Sequence, residues 1–132
     1  MAVKTVSITP GPNGSTNFVR AAWRLLNGDT GSLIESMDFA DGTVQIGGGS
    51  GTAPDGTAIV ASVFGTGGSV TLEGSNDGVT FFPLTDPQGN AITKTAAALE
   101  VIEEVPRYIR PNCTAGDGTT DISVILWGRR NR

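Results

Sequence analysis

The sequence predicts an all-β protein of about eight strands with at most one or two short helices, a β-sandwich, barrel or jelly roll, with a jelly-roll-like β-sandwich favoured. Three observations predict it. Apolar residues come in short runs, many alternating with polar ones at the two-residue period of a strand. Turn cues of Gly, Pro, Asn and Asp recur roughly every 8–14 residues. The chain has 132 residues with 19 Gly and 7 Pro, enough for one domain, residues 1–132, that buries a core without disulfides or metals.

Residues 2–9 alternate as an exposed or edge strand, and Pro10-Gly11-Pro12-Asn13-Gly14 breaks the chain after it. Residues 1–12 therefore read as a possible extended N-terminal arm. In residues 16–27, Phe18, Ala21, Ala22 and Leu25 fit helical spacing, while Val19, Ala21, Trp23 and Leu25 would share one face of a strand. Strand is favoured because the rest of the chain reads as strands. Asn27 to Gly31 is a turn. Residues 33–37 and 43–46 are strands, and Asp41-Gly42 between them is a hairpin cue. Residues 47–56 read as a flexible surface loop. The apolar run Ala58 to Phe64 reads as a central buried strand.

Residues 69–85 read as a β-hairpin turning at Gly74-Ser75-Asn76-Asp77-Gly78, with Pro83 at an edge because proline cannot donate to a ladder. Asp86 to Asn90 is another turn. In residues 91–105 the alanines favour a short helical turn, and Val101, Ile102 and Val105 a strand after it. Residues 107–111 form a short strand and Ala115 to Gly118 a turn. Residues 121–127 close the domain. Ile122, Val124 and Leu126 face one way, Ile125 and Trp127 the other, so this strand is expected to be covered by the core and by a neighbour. Residues 128–132 read as a basic C-terminal tail.

The residues that usually carry chemistry are scarce. There is no histidine and only one cysteine, Cys113. A Ser-His-Asp or Cys-His arrangement has no imidazole to use, zinc has no ligand cluster, and Cys113 reads as a small buried side chain. The glycine runs 47–51 and 65–68 lack the Gly-Lys-Ser/Thr ending of a phosphate loop. Asp29, Asp41, Asp77, Asp86 and Asp117 stand at turn positions, where aspartate bonds its own main chain. No catalytic, cofactor or metal site is expected. The net charge of −4 disfavours nucleic acid and anionic lipid as partners. No stretch matches a signal peptide or a membrane span, which fits a protein made and kept in a cytoplasm.

Five segments in order carry a resemblance: Trp23 to Gly31; Gly74 to Gly78 with Phe82 and Leu84; Leu84 to Ala91; Tyr108 to Pro111; and Val124 to Arg130. Together, over residues 20–130, they resemble small head proteins of tailed bacteriophages, including jelly-roll cement proteins. The resemblance implies a homo-oligomer, dimer or trimer, on the outer surface of the capsid. There it would bridge major capsid protein subunits, with no catalytic residues and no cofactor. Val3, Val6 and Ile8 of the arm and Arg129, Arg130 and Arg132 of the tail are the expected contacts with the capsid or another partner, the arm by adding a strand to a neighbour's sheet, the arginines by docking on an acidic surface. The alternatives are a tail or baseplate β-sandwich and a carbohydrate-binding module. The last would stack sugars on exposed aromatics, so burial of both Trp23 and Trp127 would count against it.

Overall fold

A computed structural model describes residues 3–4, 7–10, 18–35, 39–49, 51–52, 58–59, 61–102, 104 and 106–130. Every regular element among them is a strand. In chain order these are β1 (Val3–Lys4), β2 (Ser7–Pro10), β3 (Phe18–Leu26), β4 (Thr30–Gly31), β5 (Ile34–Glu35), β6 (Phe39–Ile46) and β7 (Gly51–Thr52). Then come β8 (Ala58–Ile59), β9 (Ser69–Ser75), β10 (Phe82–Pro83), β11 (Thr93–Lys94), β12 (Ala98–Ile102), β13 (Tyr108–Ala115) and β14 (Asp121–Arg130). Sheet A runs β1-β4-β13-β9-β10, with β5 also on β13 and β11 also on β9. Sheet B runs β12-β6-β14-β3-β2. All pairings are antiparallel except β1 with β4.

Two-residue alternation builds the core. Sheet B turns Ala21, Trp23, Leu25, Val44, Ile46, Ile122, Val124 and Leu126 inward, and sheet A turns Ile34, Val70, Leu72, Ile109 and Cys113 to meet them. Leu84 and Ile92 close the layer beside Leu72 through a ring of backbone bonds: Leu72 N donates to Ile92 O, Ile92 N to Leu84 O and Leu84 N to Leu72 O. The architecture is the expected all-β sandwich.

Segment 16–27 is strand from Phe18, with Ala21, Trp23 and Leu25 on the buried face as the alternation requires. The 69–85 hairpin forms, Phe82 opposite Gly74 and Pro83 opposite Glu73, with Pro83 on the edge strand. Its return arm is short, and Val79 stands in the loop, exposed.

Four expectations are corrected. Asp41-Gly42 is no turn but the middle of β6. The strands flanking an Asp-Gly turn must pair with each other, and here β5 belongs to sheet A and β6 to sheet B. Gly42 instead lets β6 approach β14, since a Cβ there would lie 2.8 Å from Trp127 O. The run 58–64 is not a central strand. Ala58–Ile59 pairs only with Gly51–Thr52 in a two-stranded ribbon, which also makes part of the 47–56 loop strand. Val63 is exposed and holds a single bridge to Asp121. No helical turn forms at 96–98; β12 lies along the edge of β6 instead, Ala98 opposite Ile46 through Ile102 opposite Gly42. Finally, 107–111 grows into the eight-residue β13, with Pro111 buried in mid-sheet. Cys113 N donates to Asp29 O, so the missing donor of Pro111, two residues away, faces the same side. There the chain passes from β4 to β5, and Pro111 has no paired residue on that side.

The two ends of the chain are also built into the sheets. Val3 and Lys4 extend sheet A beside Thr30 and Gly31, and Ser7 to Pro10 extend sheet B beside Ala22 to Val19. The described part of the N-terminal arm thus pairs with its own chain. Gly128, Arg129 and Arg130 continue β14, paired with β3 and β6 rather than leaving as a tail. Val6 and Arg132, like residues 11–14, 36–37 and Val60, lie outside the described residues.

Candidate interaction face

The outer faces of the two sheets differ in chemistry. Sheet A presents a polar network outward. Arg110 Nε donates to Glu73 Oε1 at 3.0 Å, and Asn112 Nδ2 to Glu73 Oε2 at 3.3 Å. The Arg110 guanidinium also lies 3.7 Å from the centre of the Phe81 ring. Arg107 stands over Tyr108 and 3.6 Å from Glu35. Thr71 and Thr93 share a hydroxyl bond of 2.9 Å. These charges and hydroxyls are matched within the chain.

Sheet B presents rows outward whose β12 and β14 positions are apolar. Strand register places Leu99, Gln45, Ile125 and Ala22 in one row, and Val101, Thr43, Trp127 and Arg20 in the next. Leu99 is 66% exposed and Val101 45%, while Ile125 and Trp127 are half-buried. Two charged pairs border these rows. Arg24 donates from Nε and Nη2 to the two carboxylate oxygens of Asp121 at the end of the sheet. Lys94 Nζ lies 2.8 Å from Glu100 Oε1 and joins β11 of sheet A to β12 of sheet B along one open edge. Among the described residues the outer side of 121–127 is thus only partly covered. The apolar side chains there, Leu99, Val101, Ile125 and Trp127, are ones that water solvates poorly.

The turn aspartates do what turn aspartates do. Asp77 Oδ1 accepts from Val79 N and Thr80 N, each at 2.8 Å, and from Ser75 Oγ at 2.9 Å. These donors hold its carboxyl at about 2. Asp117 takes Thr66 N, Thr119 N and the Thr119 hydroxyl, which hold it well below the usual carboxylate range. Among the described residues, no three His, Cys, Asp or Glu side chains gather as metal ligands would. Cys113 is buried, its Sγ donating to Ala115 O at 3.5 Å, and burial pushes the thiol up.

The sites expected from sequence are not brought together. Val3 is on one edge of sheet A and Ile8 on one edge of sheet B, opposite the core residue Ala21. Arg129 stands opposite Phe18 and Asp41, and Arg130 opposite Phe39, at the end of the central strand of sheet B. Trp23 is a core residue, with Nε1 donating to Ser32 O at 2.9 Å. Trp127 is on the outer face, so only one of the two tryptophans is buried. The outward row of β12 went unread because Ala96-Ala97-Ala98 suggested a helical turn. The only sequence signal for this face was the second apolar side of 121–127.

No family model matches this chain, and no curated protein matches it.

Proposed function

We propose that this protein is a virion structural protein that binds the outer surface of a bacteriophage capsid and stabilises it by bridging major capsid subunits. The observation that carries a binding role is the partly covered apolar side chains of β12 and β14 on sheet B, set against the matched charges and hydroxyls of sheet A. A partner surface laid on Leu99, Val101, Ile125 and Trp127 removes apolar area from water at roughly 25 cal/mol per Å². The choice of a phage head rests on the ordered segments from Trp23 to Arg130 that resemble small head proteins. Repetition on a lattice turns weak single contacts into stable decoration.

The test mixes purified protein with undecorated heads, pellets them and images them. Stoichiometric density at fixed lattice positions, with the sheet B face against the capsid and greater heat resistance of the heads, is the expected result. Protein that stays in the supernatant and is found instead in the tail fraction of virions would replace this reading with a tail structural role. Absence from virions would remove both.

A further inference from the structure

We infer that the cleft beside the 76–81 loop is a receptor for an arginine or lysine side chain carried on an extended segment of a partner. The cleft holds about 620 Å³, within the range of small-ligand sites. Its apolar wall is Phe82, Pro83, Leu84 and Pro106; its acidic groups are Asp77 and Glu104. Phe82 is 63% exposed. Among the described residues, no lysine or arginine lines the cleft.

The neighbouring residue shows what such an arrangement holds. Phe81 and Phe82 are consecutive. Phe81 carries a guanidinium on its ring, that of Arg110, which a carboxylate, Glu73, binds at 3.0 Å. Phe82 also has carboxylates in its cleft, but no cation from the described residues. The acids are already fixed in place: Asp77 by the three donors on Oδ1, and Glu104 by Thr85 N, which donates to its Oε1 at 2.5 Å. Asp77 Oδ2 and Glu104 Oε2 take no bond from a described residue. A long cationic side chain meets both demands at once. Its methylenes pack on Phe82 and Pro106, and its charged head reaches the carboxylates. An anionic or purely apolar ligand would leave the acids unmatched.

The inference goes beyond the capsid reading, and its test uses no capsid, so either can fail alone. The ¹⁵N-labelled protein is titrated with N-acetyl-arginine methylamide and, separately, with the citrulline analogue, which keeps the shape and loses the charge. Saturating shifts confined to the amides of residues 74–84 and 104–107 with arginine, and absent with citrulline, are expected. Phe82→Ala and Glu104→Gln should each weaken the arginine affinity about threefold. Both positions are exposed, so an otherwise unchanged spectrum shows that the fold is kept. Equal shifts with citrulline, shifts elsewhere only, or an affinity unmoved by both substitutions would overturn the inference.

Discussion

Gly31 is fixed by what stands opposite it. A Cβ there would lie 2.6 Å from both Pro111 Cδ and Trp23 Cδ1, and neither ring can yield because each is packed in the core. Gly31→Ala should therefore lower stability by roughly 1–3 kcal/mol, the usual cost of overpacking, read as a shift in the urea midpoint. Leu72→Ala acts in the opposite sense, opening a cavity between the sheets, and should cost about 2–5 kcal/mol. Asp77 sets a pH dependence. Its folded carboxyl titrates at about 2 against an ordinary 3.8, so the folded state binds fewer protons than the unfolded one. The stability it contributes is present above pH 3.8 and lost as pH falls through about 2. Asp77→Asn should be less stable than the parent at neutral pH, and the gap between their urea midpoints should close as pH drops from about 4 to about 2. A gap that is the same at both ends would remove Asp77 from the acid response.

At the scale of elements, β1 and β2 are edge strands of different sheets and are formed by one short stretch of chain. That placement changes what deleting residues 1–12 should do. On sequence alone, deletion would remove a contact arm and leave the body untouched. In the structure it also strips one strand from each sheet. Each ladder bond contributes about 1 kcal/mol net, so the truncated protein should keep a β circular dichroism spectrum and unfold at clearly lower urea. Full stability after truncation would mean the strands contribute nothing to the body. On the opposite edge of sheet B, the exposed side chains of β12 can be changed without touching the core. The double variant Leu99→Lys, Val101→Lys should stay within about 0.5 kcal/mol of the parent yet fail to pellet with heads. Val79→Lys, a charge added at the exposed loop, should pellet like the parent. If all three behave alike, sheet B is not the contact face.

For the whole molecule, the sandwich leaves two features on different surfaces, the outer apolar positions of sheet B and the acidic cleft beside β10. One is flat and suits a surface; the other is concave and suits a side chain. Val3, Ile8, Arg129 and Arg130 are strand residues whose backbones are committed to ladders of their own chain. Peptide groups in need of partners are satisfied first by the nearest strand edge, and sequence cannot tell an edge that a chain will use itself from one it will offer to a neighbour.

Sequence by itself determined the all-β class, the closing strand over residues 121–127, the 69–85 hairpin and the turns at Asp29, Asp77, Asp86 and Asp117, and it favoured strand over helix for 16–27. These follow from local causes, the two-residue alternation and the backbone preferences of Gly, Asp and Pro. Tertiary structure alone decided the rest. Asp41-Gly42 became strand because its flanks belong to different sheets. Pro111 entered a central strand because the chain beside it passes from β4 to β5 without pairing there. The 58–64 run is no central strand because Ala58–Ile59 pairs with Gly51–Thr52, and Phe64 packs on the core from outside the two sheets. The two faces of the sandwich became distinct only when register aligned Leu99 and Val101 with Ile125 and Trp127. Each outcome depends on which strands lie side by side, and pairing between distant segments leaves no trace in any one of them.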